Sequence, residues 1–332
     1  MTATSKLQGR RTTWITTDHS GFTECLNAIL EVHASHDGMY PEGVRILGAS
    51  GVGKTQLAEA VLALLPPTKD RHGPIIRVIY VEVPTLPTKR SLMVAIAEAL
   101  GDPRYDKGSA EDLKSRIVQL IREARVELII FDEAQHFMVQ GGKIAMCAAA
   151  DVFKSLINQL KVPFVIMGMP SLAGLFAASS QLRTRMGPET RLKAFAWGNK
   201  EDVGEFLGLI EAQFPLGFDN DDFLFNPDVA HRLWIATFGV PRAIRFMIFR
   251  LDKLRLSTGQ TKLDYALLSK AFRAEFWPSA RPERDPFDAR FTMATLIGPG
   301  EPWEPDLIEG GHHDWGEFSI AAATVRRRLG KI

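Results

Sequence analysis

Cysteine is nearly missing from this sequence. The two that occur, Cys25 and Cys147, lie far apart, and neither belongs to a C-x-x-C pair. That spacing argues against a disulfide framework and a cysteine-ligated zinc site, and leaves two buried thiols in a reducing compartment as the simplest reading. Net charge is missing too, because 40 Lys and Arg against 39 Asp and Glu leave a formal +1. No global field draws such a chain onto nucleic acid or an anionic membrane, so any such contact has to come from a local patch. No apolar run is long enough to cross a bilayer. The polar stretch from Met1 to Thr13 lacks the apolar segment of a secretory signal. A cytoplasmic protein with no membrane partner is expected. Internal repeats are also lacking.

The sequence does have ample apolar content, 45% of 332 residues, enough for one large or two modest domains. Strand patterns at Val44–Leu47, Ile75–Val83, Glu127–Phe131, Phe164–Met167 and Leu192–Trp197 alternate with helical patterns at Lys54–Leu65, Ser91–Leu100, Glu111–Arg125 and Ile144–Leu160. Such alternation implies right-handed crossovers and a mostly parallel sheet. After Asn199 only helical patterns follow, at Glu201–Ala212, Asp228–Thr237, Pro241–Arg255 and Leu263–Phe276. From Pro278 onward prolines interrupt any long helix and acidic residues are frequent, up to a basic end at Arg326, Arg327 and Arg328. The expected organisation is an N-terminal arm over 1–13, an α/β core over 14–199, a helical domain over 200–277 and an irregular tail over 278–332.

The segment Gly48-Ala-Ser50-Gly51-Val52-Gly53-Lys54-Thr55 fits G-x-x-x-x-G-K-[ST], with a strand before it and a helix, continuing through Gln56, after it. Its glycines allow a tight loop whose backbone N–H groups face phosphate oxygens, and the helix adds its positive end. Lys54 is expected to reach the β- and γ-phosphates of ATP, and Thr55 to ligate Mg2+. The apolar strand Leu128-Ile-Ile-Phe-Asp132-Glu133 ends in two carboxylates. A strand ending there delivers them to the sheet's C-terminal edge, where open α/β sheets bind ligands. Asp132 is expected in the Mg2+ shell, and Glu133 to polarise an attacking water. An ATPase is the implied activity.

An extra strand between the two motifs, and a glutamate directly after the aspartate, resemble the AAA+ ATPases. The helical stretch after Asn199 is similar to their lid domain. By that resemblance Gly239-Val-Pro241-Arg242 looks like a sensor 2 motif, placing Arg242 toward the γ-phosphate; a surface arginine is the alternative. Arg185, then Arg183, then Arg191 match the place of an arginine finger offered to a neighbouring subunit; a solvated basic helix end carries equal weight. The position of a polar sensor 1 residue falls on Gly168 and Met169, neither of which offers a hydrogen-bonding side chain. Weak water positioning and slow or partner-dependent hydrolysis are the expected consequence.

Several stretches are similar to one AAA+ group, the TniB/TnsC transposition regulators, including those of CRISPR-associated transposons. They are Val78-Ile-Tyr-Val81 with the Pro/Lys loop after it, Tyr105-Asp-Lys107-Gly108-Ser109, the stretch from Val126 to His136, and Phe164 to Leu172. The resemblance covers roughly residues 14 to 276. It implies an ATP-dependent homo-oligomer, ring or helical filament, wound on double-stranded DNA without base reading. Its implied partners are a DDE transposase and a TniQ-type target-selection protein. Hydrolysis would drive disassembly. DNA contacts would come from Lys89, Lys107 and Ser109; Arg90 and Arg104 are added here as further basic candidates in the same loops. The spaced aromatics of the tail, Phe287, Phe291, Trp303 and Trp315, suggest either a partner-docking segment or one packed on its own helical domain. The adenine wall is expected near Trp14 to His19. Two other readings stay open: an AAA+ ATPase of replication-initiator or helicase-loader type, and a nucleotide-gated defence switch.

Overall fold

The computed structural model describes residues 19–34, 43–85, 87–138, 150–151, 153–156, 158–213 and 218–304. Cys147, Trp14, the 1–13 arm, Trp315 and the three terminal arginines fall outside these residues. The described chain forms two compact units. Ser20–Ala49 and Gly53–Leu192 make the first. His19, Ser50–Val52 and the chain from Lys193 onward make the second.

The first unit is a parallel sheet covered by helices. Its elements are α1 (Ser20–Ala34), β1 (Gly43–Leu47), α2 (Lys54–Leu64), a hairpin of β2 (Thr68–Asp70) and β3 (Gly73–Ile75), then β4 (Val78–Glu82). Next come α3 (Lys89–Ala99), α4 (Ala110–Glu123), β5 (Leu128–Asp132), β6 (Phe164–Gly168), α5 (Ala173–Ala178), α6 (Ser180–Arg185) and β7 (Met186–Arg191). Described residues between 150 and 160 are also helical. The five-stranded sheet runs β4-β5-β6-β1-β7, and every pairing in it is parallel. Strands β5 and β6 are buried at every position. That burial explains why both read as continuous apolar runs instead of alternating ones. The core beneath them includes Ile79, Ile129, Phe131, Phe153, Phe164 and Ile166.

Sequence patterning located these strands to within a few residues, with two differences. The predicted strand over 75–83 splits into the end of the hairpin and β4, because Ile76 and Arg77 connect them outside any ladder. The predicted last strand, 192–197, lies one step late. The ladder with β1 is made by Met186–Arg191. Gly187 and Pro188 inside this strand read as a turn, and pairing with β1 overrides that signal.

The second unit contains α7 (Lys200–Gln213), α8 (Pro227–Thr237), α9 (Pro241–Thr258) and α10 (Tyr265–Glu275). Helix α8 ends in two left-handed residues, Phe238 (φ 52°) and Gly239 (φ 65°), and Pro241 opens α9 at its first turn. A Cβ on Gly239 would stand 2.0 Å from the Phe195 carbonyl oxygen, so only glycine fits. That carbonyl accepts from Trp234 Nε1 (2.8 Å), while Phe195 N–H donates to the Gly239 carbonyl (2.9 Å).

Residues 278–304 pack onto these helices. Asp285 is fully buried and accepts from Arg273 Nε (2.7 Å), Ser269 Oγ (2.7 Å) and Phe287 N–H (3.0 Å). Arg284 forks onto Glu301. Trp303 donates to the Ala236 carbonyl (3.1 Å) and stacks on Phe238. Of the two readings of the tail, packing on the chain's own helices holds over 278–304; residues 305–332 lie outside the described residues. Removing the Asp285 carboxylate strands a half-buried guanidinium. Asp285→Ala is therefore expected to cost about 2–3 kcal/mol of unfolding free energy. Chemical denaturation of the full chain checks this; wild-type stability would mean that 278–304 lies outside the cooperative unit.

Candidate functional site

The Gly48–Thr55 loop leaves β1 and enters α2. Gly51 (φ 82°) and Gly53 (φ 112°) both adopt left-handed backbone that a side chain would strain. Gly48 N–H donates to the Gly168 carbonyl (3.0 Å), which fixes the start of the loop to the end of β6. Lys54 is buried, and its Nζ donates to the carbonyls of Gly48 (2.8 Å) and Ala49 (2.9 Å). The ammonium thus lies inside the turn of the loop. Val52 is buried, Ser50 is exposed and Gln56 is half-buried.

Asp132 is the most connected side chain of the site. It is wholly buried at the end of β5. Oδ2 accepts from Thr55 Oγ1 (3.1 Å) and from the Tyr80 hydroxyl (3.0 Å), and Oδ1 accepts from Glu133 N–H (2.8 Å). Burial pushes its carboxyl above the ordinary aspartate value and the nearby Glu133 charge adds to that, while the hydrogen bonds and Lys54 oppose it. Burial next to this carboxylate also pushes the Tyr80 phenol well up, so Tyr80 stays a neutral donor. Glu133 has left-handed backbone (φ 57°), a conformation that costs a non-glycine residue on the order of 1–3 kcal/mol. Beyond it, a 3-10 turn over Ala134–Met138 carries Gln135, whose amide reaches both the Glu133 carboxylate and the Met169 N–H. His136 Nδ1 lies 2.9 Å from the Val83 carbonyl; since a carbonyl only accepts, Nδ1 carries the proton.

Lys54, Thr55, Asp132 and Glu133 are thus brought together at the C-terminal edge of the sheet. Tyr80 and Gln135 belong with them; both lie in stretches that carried the family resemblance, but neither was given a role in the site. Tyr80 sits in an apolar strand, and its hydroxyl meets Asp132 only through the β4–β5 register, Tyr80 opposite Ile130 and Glu82 opposite Asp132. Arg242 belongs to the second unit. There its N–H donates to the Gly51 carbonyl (3.1 Å) and its guanidinium to the Ser50 hydroxyl (3.4 Å). Arg183 and Arg185 close α6, and Arg191 pairs with Glu189 (2.8 Å). His19 packs edge-on against Phe195.

The proposed DNA contacts also cluster. Lys89 opens α3 and pairs with Glu111 (2.5 Å), and Arg90 donates to the carbonyls of Asp106 (2.7 Å) and Gly108 (3.2 Å). Ser109 caps α4, its hydroxyl accepting from Asp112 N–H. Arg116 and Asp102, absent from the sequence-derived set, organise the loop. Arg116 donates to Asp102 and to the carbonyls of Arg104 and Lys107. Arg90 and Ser109 therefore shape the loop, while the Lys107 side chain is 73% exposed and pairs with Asp106 (3.1 Å).

The family described as "Bacterial TniB protein" matches residues 8–196. The chain belongs to the TniB family. A search of curated proteins finds no match. Among solved structures the chain is similar to the CDC6 protein of Pyrobaculum aerophilum (TM-score 0.59, 13% identity, 84% of this chain and 73% of that one). It is also similar to the ORC2 protein of Aeropyrum pernix in ADPNP-ADP complexes (0.55, 15%, 82% and 74%). A third is the ORC1 protein of the same organism in complex with DNA (0.55, 17%, 81% and 68%). At these identities the likeness establishes the fold alone, a parallel α/β core followed by helices, in line with the AAA+ resemblance. No described helix of this TniB-family chain is long and apolar enough to cross a membrane.

The burial of Asp132 has a pH signature in the nucleotide-free protein. A carboxyl whose folded pKa is raised contributes stability that is present below its unfolded pKa and is lost as the pH rises through the folded value. The stability of wild type relative to Asp132→Asn should therefore fall as the pH climbs from the ordinary carboxylate range toward neutrality. Denaturant titrations of both chains across that range check it, and a pH-independent difference would contradict it.

Proposed function

We propose that this TniB-family protein binds and hydrolyses ATP, and that the nucleotide controls its assembly on duplex DNA during transposition. The observation that carries the reading is the junction of Thr55 and Asp132, a hydroxyl and a carboxylate oxygen 3.1 Å apart, beside a lysine held within a glycine loop. Two oxygen donors, with no thiolate or imidazole between them, suit a hard divalent cation such as Mg2+ that takes its remaining ligands from phosphate and water. When bound, that cation neutralises charge on the phosphate oxygens.

The chain's own groups divide the remaining work. The amides around Gly51 and Gly53 line the phosphates, and Lys54 offers its ammonium to phosphate oxygens that compete with the Gly48 and Ala49 carbonyls. Glu133 orients and polarises the attacking water. Arg242 acts as a sensor 2 residue, and Arg185, with Arg183 as second choice, serves a neighbouring subunit's nucleotide, so that turnover depends on assembly. Lys89 and Lys107, with Arg104, meet the DNA backbone without reading bases. A DDE transposase and a TniQ-type protein are the proposed partners, and hydrolysis disassembles the complex. An initiator-type role on the same fold is the second reading, favoured only by the Orc and Cdc6 likeness.

Lys54→Ala is expected to weaken ATP binding about a hundredfold, or roughly 2.7 kcal/mol. Glu133→Gln should keep the affinity and lose about a hundredfold or more in turnover. Calorimetry and phosphate release on the full chain measure the two. Electron microscopy of the chain with duplex DNA and a non-hydrolysable ATP analogue should show rings or helical filaments threaded by DNA. Failure of the well-folded chain to bind ATP, or nucleotide-dependent assembly that ignores DNA, would sink the reading.

The DNA contact has a separate test. Lys107→Ala should weaken binding equally on unrelated sequences and lower the slope of log affinity against log salt by about 0.9 for each such contact removed. A sequence-dependent loss, or an unchanged slope, would place the contact elsewhere.

A further inference from the structure

Residues 168 and 169 end the strand beside β5 and β1, the place from which a polar side chain could help hold a reacting water. Gly168 and Met169 offer none. The structure nevertheless places a polar side chain there, from the other direction. Gln135 is 8% exposed and extends from the 3-10 turn after β5 to the end of β6. Its Oε1 accepts from Met169 N–H (3.0 Å), and its Nε2 donates to the Glu133 carboxylate.

The orientation of this amide follows from chemistry. A backbone N–H can only donate, so it must face the amide oxygen. A carboxylate can only accept, so it must face the amide nitrogen. Both partners select the same rotation of the side chain. Gly168 makes the space, because a Cβ there would lie 2.7 Å from Gln135 Oε1. The missing side chain at 168 and the polar residue at 135 are therefore two halves of one arrangement. Glu133 itself sits on left-handed backbone, and its carboxylate accepts from the Gln135 amide.

We infer that Gln135 is the positioning residue for Glu133: its amide locks the carboxylate to the end of β6 and thereby does what a polar residue at 168 or 169 would otherwise do. This rests on the proposed role of Glu133 in ATP hydrolysis. Gln135 does not touch the phosphates; it sets where the carboxylate stands. A displaced carboxylate leaves ATP binding intact and slows the step that needs an oriented water.

Two substitutions separate positioning from packing. Gln135→Met keeps the length and bulk but loses both hydrogen bonds. Gln135→Glu keeps the length and the acceptor for Met169 N–H, but turns the donor toward Glu133 into a like charge. Each is measured in the full chain with Mg-ATP and duplex DNA, beside wild type and Glu133→Gln. Both variants should lower kcat about tenfold to a hundredfold while the ATP Kd stays within about twofold. Gly168→Ala, whose Cβ displaces the amide, should lower kcat similarly. In a Gln135→Ala background it should cost less than it does alone, because the amide is gone and only the Leu172 side chain (2.9 Å) and the backbone nitrogen of residue 135 (3.2 Å) still crowd the new Cβ.

If wild type turns over and Glu133→Gln does not, yet Gln135→Glu matches wild type, the positioning role is overturned while the ATPase reading stands. The same holds if the Gly168 and Gln135 effects simply multiply. A rise in Kd matching the fall in kcat/KM would assign Gln135 to binding instead. A wild-type chain that binds ATP and never hydrolyses it overturns the ATPase reading and this role with it.

Discussion

The buried carboxylate of Asp132 is the constraint around which the site is arranged. A charged group with no exposed surface is tolerated only if its oxygens are satisfied, and here the satisfaction comes from three different parts of the chain. Thr55 brings the first turn of α2, Tyr80 brings the neighbouring strand β4, and the Glu133 amide brings the turn that follows. Each donor fixes a structural element as well as a charge. The Thr55 contact ties the phosphate loop's helix to β5. The Glu133 contact fixes the peptide plane between Asp132 and the turn that follows. The Tyr80 contact requires the β4–β5 register, since a one-residue slip would turn the phenol to the other face of the sheet. Burial raises the carboxyl's pKa, so the site carries an electrostatic cost that a cation would relieve.

The sheet order gives that carboxylate its neighbourhood. With β6 between β5 and β1, the loop after β1 and the turn after β5 flank the end of β6. Gly168 at that end accepts from Gly48 through its carbonyl and makes room for Gln135 through its missing side chain. One small residue thus serves both flanking segments. A larger residue would have to choose between a polar group of its own and the amide from residue 135. This chain has the second solution.

How much of this was legible beforehand depended on whether the signal was local. The phosphate loop reads directly because its glycines, lysine and threonine lie within eight consecutive positions and perform one task. Strands β5 and β6 read because full burial leaves an unbroken apolar run. The end of the sheet was misplaced by one segment because β7 carries Gly187-Pro188, a pair that reads locally as a turn, and only its ladder with β1 makes it a strand. Tyr80 and Gln135 were illegible as site residues for a different reason. Their roles depend on partners 52 and 34 positions away, set by strand register and by the space at Gly168. The basic loop shows the same limit from the other side. Composition marks Arg90 and Ser109 as candidate contacts, yet their polar atoms hold the loop together.

That division within the basic loop bears on how a nearly neutral chain could hold DNA. On the proposed reading, each subunit presents few outward cations, and Lys107 and Lys89 are each paired with an exposed carboxylate, Asp106 and Glu111, that a phosphate would have to displace. The free energy of phosphate contact grows with the number of phosphates neutralised, so two or three contacts from one subunit bind weakly at physiological salt. Repetition changes the sum. Subunits held side by side add their contacts intramolecularly, and the second and later contacts benefit from the high effective concentration set by the assembly. A rigid loop is then more useful than a flexible one, because each repeat must meet the backbone at the same pitch. The Arg116–Asp102 brace supplies that rigidity with side chains that need not touch DNA at all. Affinity that depends on assembly can be switched by whatever controls assembly. In this chain the candidate is the nucleotide, through the carboxylate that joins loop, strand and turn.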